Sequence, residues 1–274
     1  MKPIYITDLD HTFLHSNQQV SAYSTKVWND KSQKAILSVA TARSYQKSLD
    51  FLHTLHLDAP MILLDGTMVV TPQKKLIDIQ ILNKAVGDAV IDEGRAFGIY
   101  PFVIGLRDVA SLDEAFLFPT TLNTHQHGVL ENYRNDPRMV ECKNIRAMEM
   151  NLKIVYFGAY ATLLPLTQHL EKTFGKELEY KLSPEKYSDG WFLTILHPEG
   201  DKAHALQKVM AYLERDVEEV TVFGDSLNDI GMFKLAGTAV AVANALDEVK
   251  AVADVVLPHT NDEDAVAKYL QTHG

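Results

Sequence analysis

Short apolar runs, each ending in small or polar residues, recur towards both ends of the chain. In the first part they predict strands at 2–7, 35–40 and 60–64. After residue 200 the same alternation of strands and helices returns, with predicted strands at 217–224, 238–242 and 254–257. This alternation is typical of an α/β domain with a mostly parallel sheet, here built from both ends of the chain.

The middle of the chain has a different pattern. β-Branched residues at 68–82 predict a hairpin, and amphipathic helices and further short strands follow it. Residues 113–138 are polar, and we interpret them as irregular. The change of pattern predicts an α+β domain at 83–188, inserted into a domain formed by 1–82 and 189–274.

Composition narrows the classes of partner and the compartment. The 274 residues carry a net charge of −10, which argues against non-specific nucleic-acid binding. Cys142 is the only cysteine, so no intrachain disulfide can form, as in a reducing compartment. Asp8 and Asp10 interrupt the first apolar stretch too early for a signal peptide, and no apolar run is long enough for a membrane helix. We therefore expect a cytoplasmic protein without a membrane partner, and the oligomeric state stays open.

Polar residues follow four of the predicted strands. These stretches are Asp8-Leu9-Asp10, Thr41-Ala42-Arg43, Asp65-Gly66-Thr67 and the run from Gly224 to Asp229. A parallel sheet brings such strand ends to one edge, where open α/β sheets place their sites. In an extended chain Asp8 and Asp10 point the same way, whereas a break in the strand separates them. Both arrangements remain open from these residues alone.

The residue types at this edge suit a metal ion and a phosphate group. The acids are Asp8, Asp10, Asp225 and Asp229. Packed together they need a cation, and an all-oxygen ligand set favours Mg²⁺ over zinc. Thr41, Lys202 and Asn228 supply a hydroxyl, a positive charge and an amide for phosphate. One aspartate can attack phosphorus while a second transfers protons.

These motifs resemble those of the haloacid dehalogenase superfamily of phosphatases. The chain is most similar to the Cof-like branch, in which an α/β cap is inserted between the second and third motifs. Asp8-Leu9-Asp10-His11-Thr12 matches the first motif and Thr41 the second. Lys202 matches the third motif, and the run from Gly224 to Asp229 matches the fourth. The resemblance implies a Rossmann-like catalytic core at 1–82 and 189–274, and a substrate-specificity cap at 83–188.

The resemblance also implies a role for each residue of these motifs. Asp8 would be the nucleophile, Asp10 the general acid/base, and Lys202 a catalytic residue that steadies the nucleophile and the phosphate charge. The groups expected to bind the substrate phosphate are Thr41, Ala42, Arg43, Lys202 and Asn228. Mg²⁺ would be held by the Asp8 carboxylate, the Asp10 main-chain carbonyl and the Asp225 carboxylate. Asp229 would support the water shell of the metal.

Three residues depart from the pattern of this family. His11 stands where the family usually has glycine, Ala42 replaces the glycine of Thr-Gly-Arg, and Asp65 replaces the asparagine of Asn-Gly. Ala42 narrows the backbone conformations available beside the phosphate. Asp65 adds a negative charge near an anionic substrate, or it is turned away from the site. None of the three removes a required catalytic group.

The predicted function is an Mg²⁺-dependent phosphomonoester hydrolase that acts through an aspartyl-phosphate on a small phosphorylated metabolite, in this branch a sugar phosphate. A phosphosugar mutase and a non-catalytic sugar-phosphate sensor are the alternatives. Selection of the leaving group falls to the inserted domain, as expected of a lid. Its candidate contacts are Arg107, His125, Lys143, Lys153, Lys181 and Lys186.

Overall fold

The computed structural model describes residues 1–131, 133–185 and 190–273. The strands are β1 (Ile4–Thr7), β2 (Ile36–Val39), β3 (Met61–Leu63), β4 (Met68–Val70), β5 (Leu76–Ile79), β6 (Phe102–Asp108), β7 (Asp113–Pro119), β8 (Met139–Cys142), β9 (Met150–Gly158), β10 (Glu179–Pro184), β11 (Trp191–Leu196), β12 (Val220–Gly224), β13 (Thr238–Ala241) and β14 (Val255–Val256). The helices are α1 (Ala22–Ser32), α2 (Tyr45–Leu52), α3 (Lys84–Ala96), α4 (Thr124–Glu131), α5 (Tyr160–Phe174), α6 (Lys202–Tyr212), α7 (Ile230–Phe233), α8 (Asp247–Lys250) and α9 (Ala265–Thr272).

The first of two compact units comprises residues 1–79 and 201–274. Its main sheet has the strand order β14-β13-β12-β1-β2, and neighbouring strands run parallel. All four residues of β1 are buried, as expected of a central strand that has both faces covered. Because β1 lies between β12 and β2, the carboxyl ends of these three strands lie side by side.

The third predicted strand of this unit joins a different sheet. β3 pairs antiparallel with β4, and β4 pairs antiparallel with β5, which confirms the predicted hairpin. A single parallel bridge between Ala40 and Ile62 connects β3 to the chain that leaves β2. The polar residues that follow β3 are therefore carried by a short hairpin sheet beside the main one.

The second unit comprises residues 80–200 and contains a mostly antiparallel sheet with the order β10-β11-β9-β6-β7-β8. Buried residues of α3 and α5, among them Val90 and Leu166, form one core cluster with Ile154 of β9. On the other face Val129 and Leu130 of α4 pack against a second cluster. The α/β fold class predicted from the sequence is confirmed, with a parallel sheet in one unit and an additional sheet in the other.

The interpretation of residues 113–138 as irregular was wrong, because they contain β7 and α4. A buried charge conceals the strand in the sequence. Glu114 of β7 is only 3% exposed, and its carboxylate accepts a hydrogen bond from Arg138 Nη1 at 2.6 Å. This ion pair allows an acidic residue to occupy a position where the pattern calls for an apolar one.

The division of the chain differs in detail from the predicted boundaries. The predicted boundary at 188/189 lies outside the described residues. β11, which the prediction assigned to the discontinuous domain, pairs with β9 and β10 and belongs to the second unit.

Among the described residues, no helix combines the length and the apolar character needed to span a bilayer.

The polar residues suggested as cap contacts lie in different surroundings. Arg107 pairs with Asp113 at 3.2 Å on the surface, and the His125 ring meets the Phe157 ring edge-on. Lys153 lies on the central strand β9 and is 8% exposed. Lys143 is exposed, Lys181 is half-buried, and Lys186 lies outside the described residues.

Candidate active site

The backbone changes direction between the two aspartates of the first motif. Asp8 is extended (φ −62°, ψ 158°), and its N–H donates to the Phe223 carbonyl at 2.9 Å, which keeps it in line with β12. Residues Leu9–Phe13 form a wide turn, closed by a 2.8 Å hydrogen bond from the Leu14 N–H to the Leu9 carbonyl. Asp10 is extended inside this turn (φ −68°, ψ 128°). The two carboxylates therefore do not share one strand face, and they are free to take different roles.

Lys202 joins Asp8 to the fourth motif. Its Nζ donates to Asp8 Oδ1 at 2.7 Å and to Asp229 Oδ1 at 2.6 Å, and the side chain is fully buried. It is the first residue of α6, which begins where the Asp201 carboxylate accepts hydrogen bonds from the next N–H groups. Burial alone lowers the pKa of Lys202, but the carboxylates of Asp229 and Asp8 raise it above its ordinary value, so the lysine stays charged.

Asp229 organises the loop that carries Asp225. Its Oδ2 accepts hydrogen bonds from the backbone N–H groups of Asp225 and Ser226, each at 3.0 Å. A Cβ placed on Gly224 would lie 2.5 Å from the Asp229 Cγ, so this packing requires glycine. Thr12 Oγ1 donates to Asp225 Oδ1 at 3.0 Å, which ties the first motif to the fourth.

The cluster carries more negative than positive charge. Carboxylate oxygens of Asp8, Asp225 and Asp229 lie within 4.8 Å of one another, and none of these residues is more than 6% exposed. Three carboxylates against the single ammonium of Lys202 leave a formal charge of −2. Burial raises the pKa of Asp8 well above its ordinary value, and Asp229 and Asp225 raise it further, against the opposite effect of Lys202. This donor set and this charge fit one divalent cation with a preference for oxygen ligands.

Arg43 contacts Asp10, an arrangement that differs from its predicted place on the substrate phosphate. Its Nε donates to Asp10 Oδ2 at 2.8 Å and its Nη2 to Asp10 Oδ1 at 2.5 Å. The same Nη2 reaches Gln18 Oε1 at 3.0 Å, and the guanidinium stacks on the Phe51 ring at 4.2 Å. A bidentate pair of this kind fixes the orientation of a carboxylate. In this structure the guanidinium is thus committed to the predicted general acid/base.

Thr41 lies fully buried beside the first motif. Its N–H donates to the Ile62 carbonyl at 2.9 Å, so that backbone donor already has a protein partner. Its Oγ1 accepts from the Arg43 N–H at 3.1 Å and keeps its own proton. The neighbouring Ala42 is exposed. The predicted phosphate donor of Thr41, its hydroxyl, therefore keeps a proton that it can donate.

Asp65 is directed towards the fourth motif. Asn228 Nδ2 donates to Asp65 Oδ1 at 3.1 Å, and Asp65 is 5% exposed. Leu64, Asp65 and Gly66 have positive φ angles of 51°, 66° and 118°. A Cβ on Gly66 would lie 2.1 Å from the Asp201 carbonyl, so only glycine permits this approach. The tight turn thereby connects β3 with the beginning of α6 and with Asn228.

Comparison with known proteins identifies the family. The model of the haloacid dehalogenase-like hydrolases matches residues 5–270. The chain belongs to the haloacid dehalogenase-like hydrolases. It is 22% identical to the 5-amino-6-(5-phospho-D-ribitylamino)uracil phosphatase YitU of Bacillus subtilis, over 99% of this chain and 98% of the relative. It is 25% identical to the HMP-PP phosphatase of Cronobacter sakazakii, over 97% and 93%.

Solved structures of the same family share the fold. A haloacid dehalogenase-like hydrolase from Bacteroides thetaiotaomicron superimposes with a TM-score of 0.80 at 21% identity, and 99% of each chain is covered. The family and the phosphatase class predicted from the motifs are thus confirmed. The individual roles of the site residues remain proposals.

The structure gives a backbone reason for the glycine that the family usually has at position 11. His11 has a φ of 57°, a left-handed conformation that costs a residue with a Cβ roughly 1–2 kcal/mol. Glycine, usual at this position of the haloacid dehalogenase motif, adopts the conformation without that cost. The turn therefore keeps the geometry that glycine allows, at some expense in conformational energy.

The residues that support this turn were not predicted from the sequence motifs. Asn244 Nδ2 donates to the His11 carbonyl at 2.7 Å, and the Asn261 N–H donates to Asn244 Oδ1 at 2.9 Å. Gln18, which contacts Arg43, was also missed. None of these residues lies within the four motifs, and no spacing connects them to Asp8 or Asp10. These residues come close to the turn and to Arg43 only in the folded chain, so no local sequence pattern identifies them.

Proposed function

We propose that the chain is an Mg²⁺-dependent phosphomonoester hydrolase that forms an aspartyl-phosphate on Asp8. The observation that carries this proposal is the buried cluster of three carboxylates and Lys202, with a formal charge of −2, in which Lys202 Nζ binds Asp8 Oδ1 at 2.7 Å. Keeping a carboxylate ionised in a buried site is costly. A nucleophile needs that ionised form, and a cationic partner together with a metal ion supplies it.

In this proposal the carboxylates of Asp8 and Asp225 and the main-chain carbonyl of Asp10 hold the metal. Both oxygens of Asp229 already accept hydrogen bonds, which suits a supporting role in place of direct ligation. When bound, Mg²⁺ supplies neutralisation of the phosphate charge and orientation of the phosphoryl group.

The protein residues then act in sequence. A carboxylate oxygen of Asp8 attacks phosphorus, and the ester oxygen leaves with a proton donated by Asp10. Lys202 balances the charge on the nucleophile, while Thr41 and Asn228 donate hydrogen bonds to the phosphoryl oxygens. Asp10 next removes a proton from the water that attacks the aspartyl-phosphate. Asp10 forms a bidentate ion pair with Arg43, so proton transfer at Asp10 requires this pair to loosen.

The substrate class rests on the relatives and on the inserted unit. The Bacillus relative is named for a phospho-ribitylamino compound and the Cronobacter relative for HMP-PP. We extend to this chain the shared class, a small phosphorylated metabolite, with a sugar phosphate as the specific candidate. Residues 80–200 take the part of the substrate-specificity cap, since a site that binds only phosphate and metal cannot choose a leaving group.

An Asp8→Asn variant tests the proposal. Release of inorganic phosphate is measured with p-nitrophenyl phosphate and a panel of sugar phosphates, with and without EDTA. We expect Asp8→Asn to lose more than about a thousandfold in kcat, and EDTA to stop the wild type until Mg²⁺ is added. Asp262→Asn, the same substitution at an exposed carboxylate that binds Ser16, is the matched control. Turnover by Asp8→Asn comparable to that of the control would refute the assignment.

A further inference from the structure

Two asparagines from the C-terminal part of the chain hold the turn that contains Asp10. Asn244 Nδ2 donates to the His11 carbonyl at 2.7 Å. Asn261 Nδ2 donates to the Leu14 carbonyl at 2.9 Å, and its N–H donates to Asn244 Oδ1, also at 2.9 Å. The Asn244 side chain is thus held by the Asn261 main chain, and the two side chains bind two points of the turn. We call Asn244 and Asn261 the asparagine pair.

The first contact lies where the backbone needs support. His11 adopts a left-handed conformation (φ 57°, ψ 9°), which is unfavourable for a residue with a Cβ. Its φ and ψ set the relative orientation of the peptide groups on either side, and the preceding one carries the Asp10 carbonyl. A hydrogen bond to the His11 carbonyl therefore restrains the torsion angles that aim the Asp10 carbonyl.

The second contact holds the other end of the turn. Asn261 is 3% exposed, so its hydrogen bond to the Leu14 carbonyl is shielded from water. The Leu14 N–H in turn closes the turn onto the Leu9 carbonyl at 2.8 Å. With both ends held, Asp10 has little freedom to move relative to Asp8.

Other contacts of the same C-terminal segment reach the chain outside the turn. The Asp262 carboxylate accepts from the Ser16 N–H at 2.7 Å and from its hydroxyl at 2.6 Å. Asp264 accepts from His15 and from the hydroxyls of Ser21 and Ser24. These hydrogen bonds attach the segment to the protein, and none of them is made to His11 or Leu14. They allow a general anchoring effect to be separated from a specific effect on the turn.

We propose that Asn244 and Asn261 are positioning residues that keep His11 in its left-handed conformation and so aim the Asp10 carbonyl and side chain. The inference rests on the proposed function, in which Asp10 offers its carbonyl to Mg²⁺ and transfers protons. It adds to that function two residues from outside the four motifs.

The test compares Asn244→Ala with Asp262→Asn by phosphate release, by thermal unfolding, and by calorimetric titration with Mg²⁺. We expect Asn244→Ala to lose about tenfold in kcat and about tenfold in Mg²⁺ affinity, each equal to about 1.4 kcal/mol. Asp262→Asn should stay within about twofold of the wild type in both. Asn244→Asp covers the case in which the alanine variant does not fold. It keeps an acceptor for the Asn261 N–H, removes the donor to His11 and places a carboxylate oxygen against the His11 carbonyl, so its kcat should fall at least as far as that of Asn244→Ala.

A second substitution separates positioning from plain structural support. Glycine at position 11 adopts a positive φ without a Cβ penalty, so His11→Gly should restore most of the kcat and Mg²⁺ affinity that Asn244→Ala loses. Equal losses in Asn244→Ala and Asp262→Asn, or no recovery in the double variant, would overturn the inference. If the wild type releases no phosphate, the proposed function fails, and the calorimetric comparison still decides the role of the pair.

Discussion

Replacing Asp229 by asparagine creates a conflict that no orientation of the new amide can avoid. Asp229 Oδ1 accepts from Lys202 Nζ at 2.6 Å, and Oδ2 accepts from the N–H groups of Asp225 and Ser226 at 3.0 Å each. An asparagine has only one acceptor atom. Its NH₂ group must face either the ammonium or two backbone donors. The less costly orientation keeps the two backbone bonds and turns the amide nitrogen towards Lys202.

The size of the effect follows from these contacts. The lost bond to Lys202 is charge-assisted and fully buried, and such bonds contribute about 1.5–3 kcal/mol. The new donor–donor contact adds to the cost, whereas the removal of one negative charge near Asp8 offsets part of it. We expect a net loss of about 2 kcal/mol. For a domain of this size that lowers the melting temperature by about 4–8 °C.

Differential scanning calorimetry in EDTA measures this loss, with Asp262→Asn as the control because the same substitution there affects an exposed carboxylate. Phosphate release should also fall, since Lys202 loses one of its two partners. If Asp229→Asn melts within about 1 °C of the control and retains its activity, the three hydrogen bonds of Asp229 do not stabilise the protein and its site as we infer.

Two further substitutions test other contacts of the site. Arg43→Lys keeps the charge but loses the bidentate geometry towards Asp10, so steady-state kinetics should show kcat reduced about tenfold with KM nearly unchanged; a large rise in KM alone would instead place Arg43 on the substrate. Gly224→Ala puts a Cβ 2.5 Å from the Asp229 Cγ, so the free energy of unfolding measured in urea should fall by about 1–3 kcal/mol. A urea midpoint equal to that of the wild type would contradict this expectation.

The strand ends could be predicted because their signal is local. The first, second and fourth motifs are continuous stretches that follow β1, β2 and β12, and parallel pairing of these strands brings their ends together. The different roles implied for Asp8 and Asp10 agree with a break in the strand between them, one of the two arrangements that the residues alone left open. Asp8 stays in line with β12, and the turn Leu9–Phe13 begins directly after it.

The partners of the site residues could not be predicted, because they come from distant parts of the chain. Arg43 meets Asp10 across 33 residues, and Asn244 meets His11 across 233. No spacing or composition connects such positions. The arginine was accordingly assigned to the phosphate by analogy with its motif, and the asparagine lies outside all four motifs.

The strand β7 was missed for a different reason. Its alternation is obscured by Glu114, a buried acid that is acceptable only because Arg138 neutralises it. A pattern of apolar and polar residues treats every charge as exposed. A buried ion pair violates that assumption, and its partner, on the chain before β8, becomes apparent only after folding.

The central claim is that Asp8 carries the phosphoryl group, and Asp10→Ala with p-nitrophenyl phosphate tests it most directly. p-Nitrophenolate leaves without needing a proton, so Asp8 can still be phosphorylated while the water that should hydrolyse it lacks its base. Rapid mixing should give a burst of about one p-nitrophenolate per enzyme, followed by slow turnover. Mass spectrometry of the acid-quenched enzyme should find the phosphoryl group on the peptide that contains Asp8. A burst-free reaction that releases phosphate with no modification of that peptide would contradict the account.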